Sequence, residues 1–138
     1  MSRALFTQIE GRAAEIVDFI MMSPEVRAFP SVSYAVRLAC EEIVVNIIRY
    51  AYNDRTQGYI GISIVLVGCE LHIEVRDGGV PFDPLGREMP DTALPPEERD
   101  IGGLGIYLVC RMMDRVSYVR RGDENCLLLV KSVAHEKA

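Results

Sequence analysis

The sequence predicts an α+β two-layer sandwich, with helices on one face of a mixed, mostly antiparallel sheet. Three observations lead there. Residues 10–22 and 32–52 carry apolar side chains at helical spacing. Residues 70–77 alternate strictly, with Leu71, Ile73 and Val75 on one face and His72, Glu74 and Arg76 on the other. Two β-rich runs, 116–120 and 127–133, meet at a Gly122–Asp123 turn.

Taken in order, residues 4–8 suit a short extended segment. A first helix over 10–22 places Ala14, Ile16, Val17 and Ile20 together, and Ser23–Pro24 stops it. The second helix runs over 32–52. Ser31 or Ser33 is placed to cap it, and Asn53, Asp54 and Gly58 supply turn chemistry at its end. Strands over 59–67 and 70–77 join through Gly68–Cys69 as a hairpin. From 78 to 103 the chain turns to Pro81, Pro84, Pro90, Pro95, Pro96 and many charges. That is roughly twenty residues without periodicity, a length usual for functional lids. A helix resumes over 104–114 before the last two strands.

With 138 residues, the chain is expected to form a single domain over 1–138. Its net charge of -5, without a basic run, argues against gripping nucleic acid through phosphates. No apolar run approaches the ~20 residues of a membrane span, and the N-terminus lacks a signal-peptide core. Cys40, Cys69, Cys110 and Cys126 form no C-x-x-C pair, and are expected to be buried or half-buried free thiols. The expected location is the cytoplasm.

Three places carry chemistry. On the second helix, Val36, Cys40, Ile43, Val44, Ile47 and Ala51 share the core face at about 100° per residue. Glu42 and Asn46 lie nearly opposite, one turn apart, flanked by apolar Leu38, Ala39 and Val45. Glu41 points about 100° away from Glu42. At the end of the 70–77 strand, Asp77 is followed at once by Gly78 and Gly79, which permit close approach of a ligand. Gly102, Gly103, Leu104, Gly105 and Ile106 then run into a helix, where backbone N–H groups suit an anion. Walker and dinucleotide fingerprints are both absent. Singly, each place also fits an ordinary surface pair, a plain turn or a Gly-rich helix start.

Together, their order and spacing resemble the GHKL (Bergerat-fold, histidine-kinase-like) ATPases, and most of all the single-domain anti-sigma-factor serine kinases. Glu42-x-x-x-Asn46 resembles the N box. Asp77-x-Gly79-x-Pro81 resembles the first glycine box, in a Pro-containing form, and Pro81-Phe82-Asp83-Pro84 is a further anti-sigma-kinase-like detail. Gly102-Gly103-x-Gly105-Ile106-x-Leu108-Val109 resembles the second glycine box. The resemblance covers residues 5 to 133, with an ATP lid over about 83–101.

By this resemblance ATP and magnesium are the cofactors. Asn46 is the expected metal ligand, and Glu42 the base that takes a proton from a partner's serine hydroxyl. Asp77 is expected to accept from the adenine amine, and Gly79 to admit the base. Gly103 and Gly105 offer N–H groups to the phosphates. The nucleotide site also counts Arg49, Tyr50, Pro81, Gly102, Leu104 and Ile106. Arg87 or Arg99 is expected to neutralise the transferring phosphoryl group. Two positions depart from the family. Tyr50 stands where many members carry His, and Leu128 where a Thr often touches the adenine site.

The resemblance implies a kinase that phosphorylates a STAS-type anti-anti-sigma factor and sequesters a sigma factor, working as a homodimer. Alternatives are a non-catalytic ATP-dependent partner switch and an ATPase piece of a larger complex.

Overall fold

The computed structural model describes residues 1–52, 58–86 and 101–133, with backbone alone at 101–104. Five strands, β1 (Ser2–Thr7), β2 (Tyr59–Val67), β3 (Glu70–Asp77), β4 (Arg115–Arg121) and β5 (Glu124–Ser132), form one sheet in the order β1-β2-β3-β5-β4. Every pairing is antiparallel, so the described sheet is simpler than the mixed one expected.

Register sets the faces. Ile62 pairs with Val75, Val75 with Leu127, and Leu127 with Tyr118, which puts these side chains on one side. Ile60, Ile62, Ile64, Leu71, Ile73 and Leu129 are fully buried there, each worth about 1.5–3 kcal/mol of apolar transfer. His72, Glu74 and Arg76 take the other face, where Glu74 pairs with Arg76 (3.3 Å) and with Arg121 (3.6 Å).

The helices are α1 (Ala13–Met22), α2 (Pro24–Arg27), α3 (Ser33–Asn46) and α4 (Ile101–Met112). α1 starts three residues later than its apolar spacing suggests. A turn holding Arg12 N to Ile9 O (2.9 Å), with Gly11 at φ +78, occupies the preceding residues. Ser23 ends α1 and also caps α2, accepting from Val26 N (3.4 Å) with Pro24 in the first turn. Beyond Asn46, α3 passes into a π-helical turn over Ile47–Ala51.

α3 lies between α1 and α4, both of which pack on it. This explains its apolar flanks, since Ala39 is as buried as Val36 and Cys40. Burial pushes the Cys40 thiol up to about 12, so it packs as an inert apolar group. All four cysteines are free, and Cys69 departs from expectation by standing exposed at the β2–β3 turn. Among the described residues no helix is long and apolar enough to cross a membrane.

Candidate functional site

An open cleft of about 400 Å³ runs between α3 and its π turn, α4, and the ends of β3 and β5. Ile43, Ile47, Ile106 and Leu127 make its apolar walls, and Phe82 and Pro84 border it. Its polar groups are few, Asn46 from α3, Asp77 from β3, Asn125 from β5 and the Tyr118 hydroxyl from β4. An apolar cleft with sparse, aimed polar groups suits a flat heterocycle.

Asp77 is the last residue of β3 and is only 4% exposed. Burial raises its carboxyl above the ordinary range, opposed by a hydrogen bond from Asn125 and another from the Gly79 N–H. Gly79 N donates to Asp77 Oδ1 (2.9 Å), and Asn125 Nδ2 donates to the same oxygen (2.9 Å). Among the described residues nothing bonds Oδ2, which leaves an acceptor for a ligand's amino group. Gly79 itself is pressed against the π turn. A Cβ there would collide with the Ala51 carbonyl, and Val80 N donates to that carbonyl at 2.9 Å. The glycine therefore serves closure of the turn on Ala51, backbone against backbone.

On α3, Glu41 and Glu42 separate as their spacing requires. Glu41 is exposed and pairs with Arg37 (3.5 Å). Glu42 is half-buried and turned to α4, where a Cβ on Gly105 would stand 2.5 Å from its Oε2. Asn46, one turn on, lines the cleft, and its amide makes no hydrogen bond to a described residue. Gly102, Gly103, Leu104 and Gly105 all lie in the first turns of α4, which begins three residues before the helix expected from sequence. The first N–H groups of a helix have no intrahelical partner, so those of Gly102 and Gly103 are available to an anion. Gly105 lies one turn in, where the helix itself takes its N–H, so it does not offer the phosphate contact expected of it.

Not every expected residue joins the cleft. Arg49 and Tyr50 are exposed on the π turn, Pro81 is exposed beside the cleft, and none of the three lines it. Arg87, Arg99 and most of the expected lid lie outside the described residues. Leu128 is directed away from the cleft, because register sets it opposite Glu74 and Ser117 on the outer face. The polar β5 residue that does face the cleft is Asn125, paired directly with Asp77. Sequence reasoning missed it by starting the last strand at Leu127, whereas β5 begins at Glu124. A second omission is Tyr52. Its hydroxyl accepts from Gly78 N (2.7 Å) and Tyr59 N (3.1 Å) and donates to Tyr59 O (2.7 Å), tying the π turn to both strands beside Asp77.

Comparison with known families matches residues 9–131 to the histidine kinase-like ATPase domain. The chain belongs to this family. Among curated ATPase relatives, it is 27% identical over 105 residues to serine-protein kinase RsbW of Listeria monocytogenes, covering 73% of this chain and 66% of that protein. It is 31% identical over 105 residues to RsbW of Bacillus thuringiensis, covering 73% and 64%. The serine/threonine-protein kinase BtrW of Bordetella bronchiseptica is 26% identical over 103 residues, at 75% and 72% coverage. This histidine kinase-like ATPase chain thus spans just under two thirds of the RsbW proteins it matches. The histidine kinase domain of the Erythrobacter litoralis blue-light activated histidine kinase shares its fold, with a TM-score of 0.57 at 15% identity over 92% of this chain and 62% of that one.

Proposed function

We propose that this histidine kinase-like ATPase domain binds magnesium-ATP in the α3–α4 cleft. It transfers the γ-phosphoryl group to a serine of a STAS-type anti-anti-sigma protein, and it sequesters a sigma factor as its second partner. The observation that carries this reading is that Asn46 and Asp77 line one cleft whose α4 wall is Ile106, the residue directly after the glycine run, with Glu42 beside Gly105. The kinase names of the relatives support the reaction class.

The residues present fit both cofactors. Asp77 has an unused oxygen for the adenine amine, and the Asn46 amide oxygen, unbonded to described residues, suits a hard cation that keeps most of its waters. Magnesium would neutralise charge on the phosphates. Ile43, Ile47, Ile106 and Leu127 would exclude water from the base, and the free N–H groups of the first turn of α4 would serve the phosphates. Glu42 takes the proton as the serine oxygen bonds to the γ-phosphorus and the bond to the ADP oxygen breaks. Arg87 or Arg99, within the ATP lid over about 83–101, would offset charge on the transferring group.

Gly105→Ala tests the placement of Glu42. The added methyl forces the carboxylate back by roughly 1 Å, and misplacement on that scale can cost about 100-fold in rate. Ala also favours the helix over Gly by about 1 kcal/mol, so the fold should survive. Labelled γ-phosphate transfer to STAS-domain proteins should therefore fall about 100-fold with an unchanged circular dichroism spectrum. Transfer at the parent rate would remove Glu42 from its assigned place.

The chain is further proposed to act as one domain, in the cytoplasm, as a homodimer. Light scattering at micromolar concentration should give twice the chain mass, and a monomer mass would contradict the dimer.

A further inference from the structure

Asn125 is 5% exposed, and its amide is saturated. Nδ2 donates to Asp77 Oδ1 (2.9 Å) and to Val80 O (2.9 Å). Oδ1 accepts from Tyr118 Oη (2.6 Å), Arg120 Nη1 (3.2 Å) and Phe82 N (3.3 Å). The orientation is dictated chemically, because the guanidinium and the Phe82 N–H can only donate and the Val80 carbonyl can only accept. Arg120 also donates to Gly79 O (2.8 Å), so β4 and β5 together hold the 78–82 turn. Both protein bonds to Asp77 converge on one oxygen.

We propose that Asn125 is the positioning residue for base recognition in this chain. It pins Asp77 by Oδ1 so that Oδ2 faces the cleft, and it closes the 78–82 turn over the base. The proposal rests on reading the cleft as an adenine site. A carboxylate held this way accepts from the exocyclic amine of adenine and repels the carbonyl oxygen that guanine carries there. Unpinned, it can rotate or stay protonated, and the discrimination fades. The charged and titratable groups around Asp77 are Arg120 on β4, Glu124 on β5, Tyr59 on β2 and Tyr52 on the π turn, with Tyr118 reaching Asn125. Of these only Arg120 brings positive charge, and its guanidinium is already engaged by the Gly79 and Gly122 carbonyls.

ATP and GTP binding to the full chain, measured by calorimetry from pH 5 to 8, tests this with Asn125→Leu, Asn125→Asp and Asp77→Asn. Asn125→Leu should weaken ATP about tenfold or more and leave GTP unchanged, since one charge-assisted bond is lost to ATP alone. A merely structural defect would weaken both nucleotides equally. Asn125→Asp keeps the shape and the acceptor, and sets two carboxylates against each other so that they share a proton. Its ATP affinity relative to the parent should be highest at the acid end of the range and fall as pH rises and that proton leaves. If Asn125→Leu does not fold, the isosteric Asn125→Asp profile decides. Parent-like ATP/GTP discrimination and a parent-like pH profile in the Asn125 variants, with ATP binding still lost in Asp77→Asn, would overturn the proposal. Retained ATP binding in Asp77→Asn would overturn the adenine reading beneath it.

Discussion

Asp77→Asn should abolish useful ATP binding while leaving the nucleotide-free protein at least as stable as the parent. The substituted amide can keep its oxygen where Oδ1 now accepts from Gly79 N and Asn125 Nδ2. Its NH₂ then occupies the Oδ2 position, a donor facing the donor of adenine. Losing a charge-assisted bond and leaving both donors unpaired costs about 3 kcal/mol or more, which is at least about 100-fold in affinity. Stability moves the other way. Burial raises the folded-state carboxyl of Asp77 above its ordinary value, so the folded chain loses stability as pH rises through the interval from the ordinary value to the raised one. Above that interval an ionised, buried Asp77 is a standing cost that Asn removes. Calorimetric titration with ATP and a thermal melt at pH 7 read the two effects separately. A variant that binds ATP normally would refute the role of Asp77, and one that melts well below the parent would refute the cost of its ionisation.

Glu42→Ala should give the mirror image, ATP binding kept and phosphoryl transfer lost. Glu42 does not line the apolar part of the cleft and makes no described bond to Asp77 or Asn46, so base recognition has no stake in it. Removing a positioned general base typically costs about 10²–10⁴ in rate. Neighbouring Glu41 does not replace it, since that side chain is exposed and engaged with Arg37. The measurement is the rate of γ-phosphate transfer to a STAS-domain protein, alongside the ATP dissociation constant. Equal transfer in variant and parent would shift the account to the non-catalytic partner switch.

The parts of the fold that were legible in sequence are those where one face meets the core and the other meets water. β3 is the clearest case, because Leu71, Ile73 and Val75 alternate with His72, Glu74 and Arg76, and register then fixes β2 and β5 around it. The divergence of Glu41 and Glu42 was equally legible, since helical geometry alone turns the two apart by about 100°. The missed parts have physical causes. α2 is four residues long, too short for periodicity, and its Ser23–Pro24 start reads as a stop because it also ends α1. α4 begins inside a glycine run that intrinsic propensity disfavours as helix, and tertiary packing against α3 outweighs that preference. Asn125 escaped because Glu124 and Asn125 look like turn residues after Gly122. Only the pairing with Asp77 turns that amide into part of the site. Leu128 was singled out instead by the resemblance, and a strand begun three residues late does not show that this position takes the outer face.

The central claim is phosphoryl transfer to protein, and one experiment meets it directly. The chain is incubated with magnesium and γ-labelled ATP together with each STAS-domain protein of its organism, and the labelled residue is mapped by mass spectrometry. The account predicts stoichiometric label on a serine of one such protein, dependent on magnesium. ATP bound at the cleft with no label on any STAS-domain protein would contradict it.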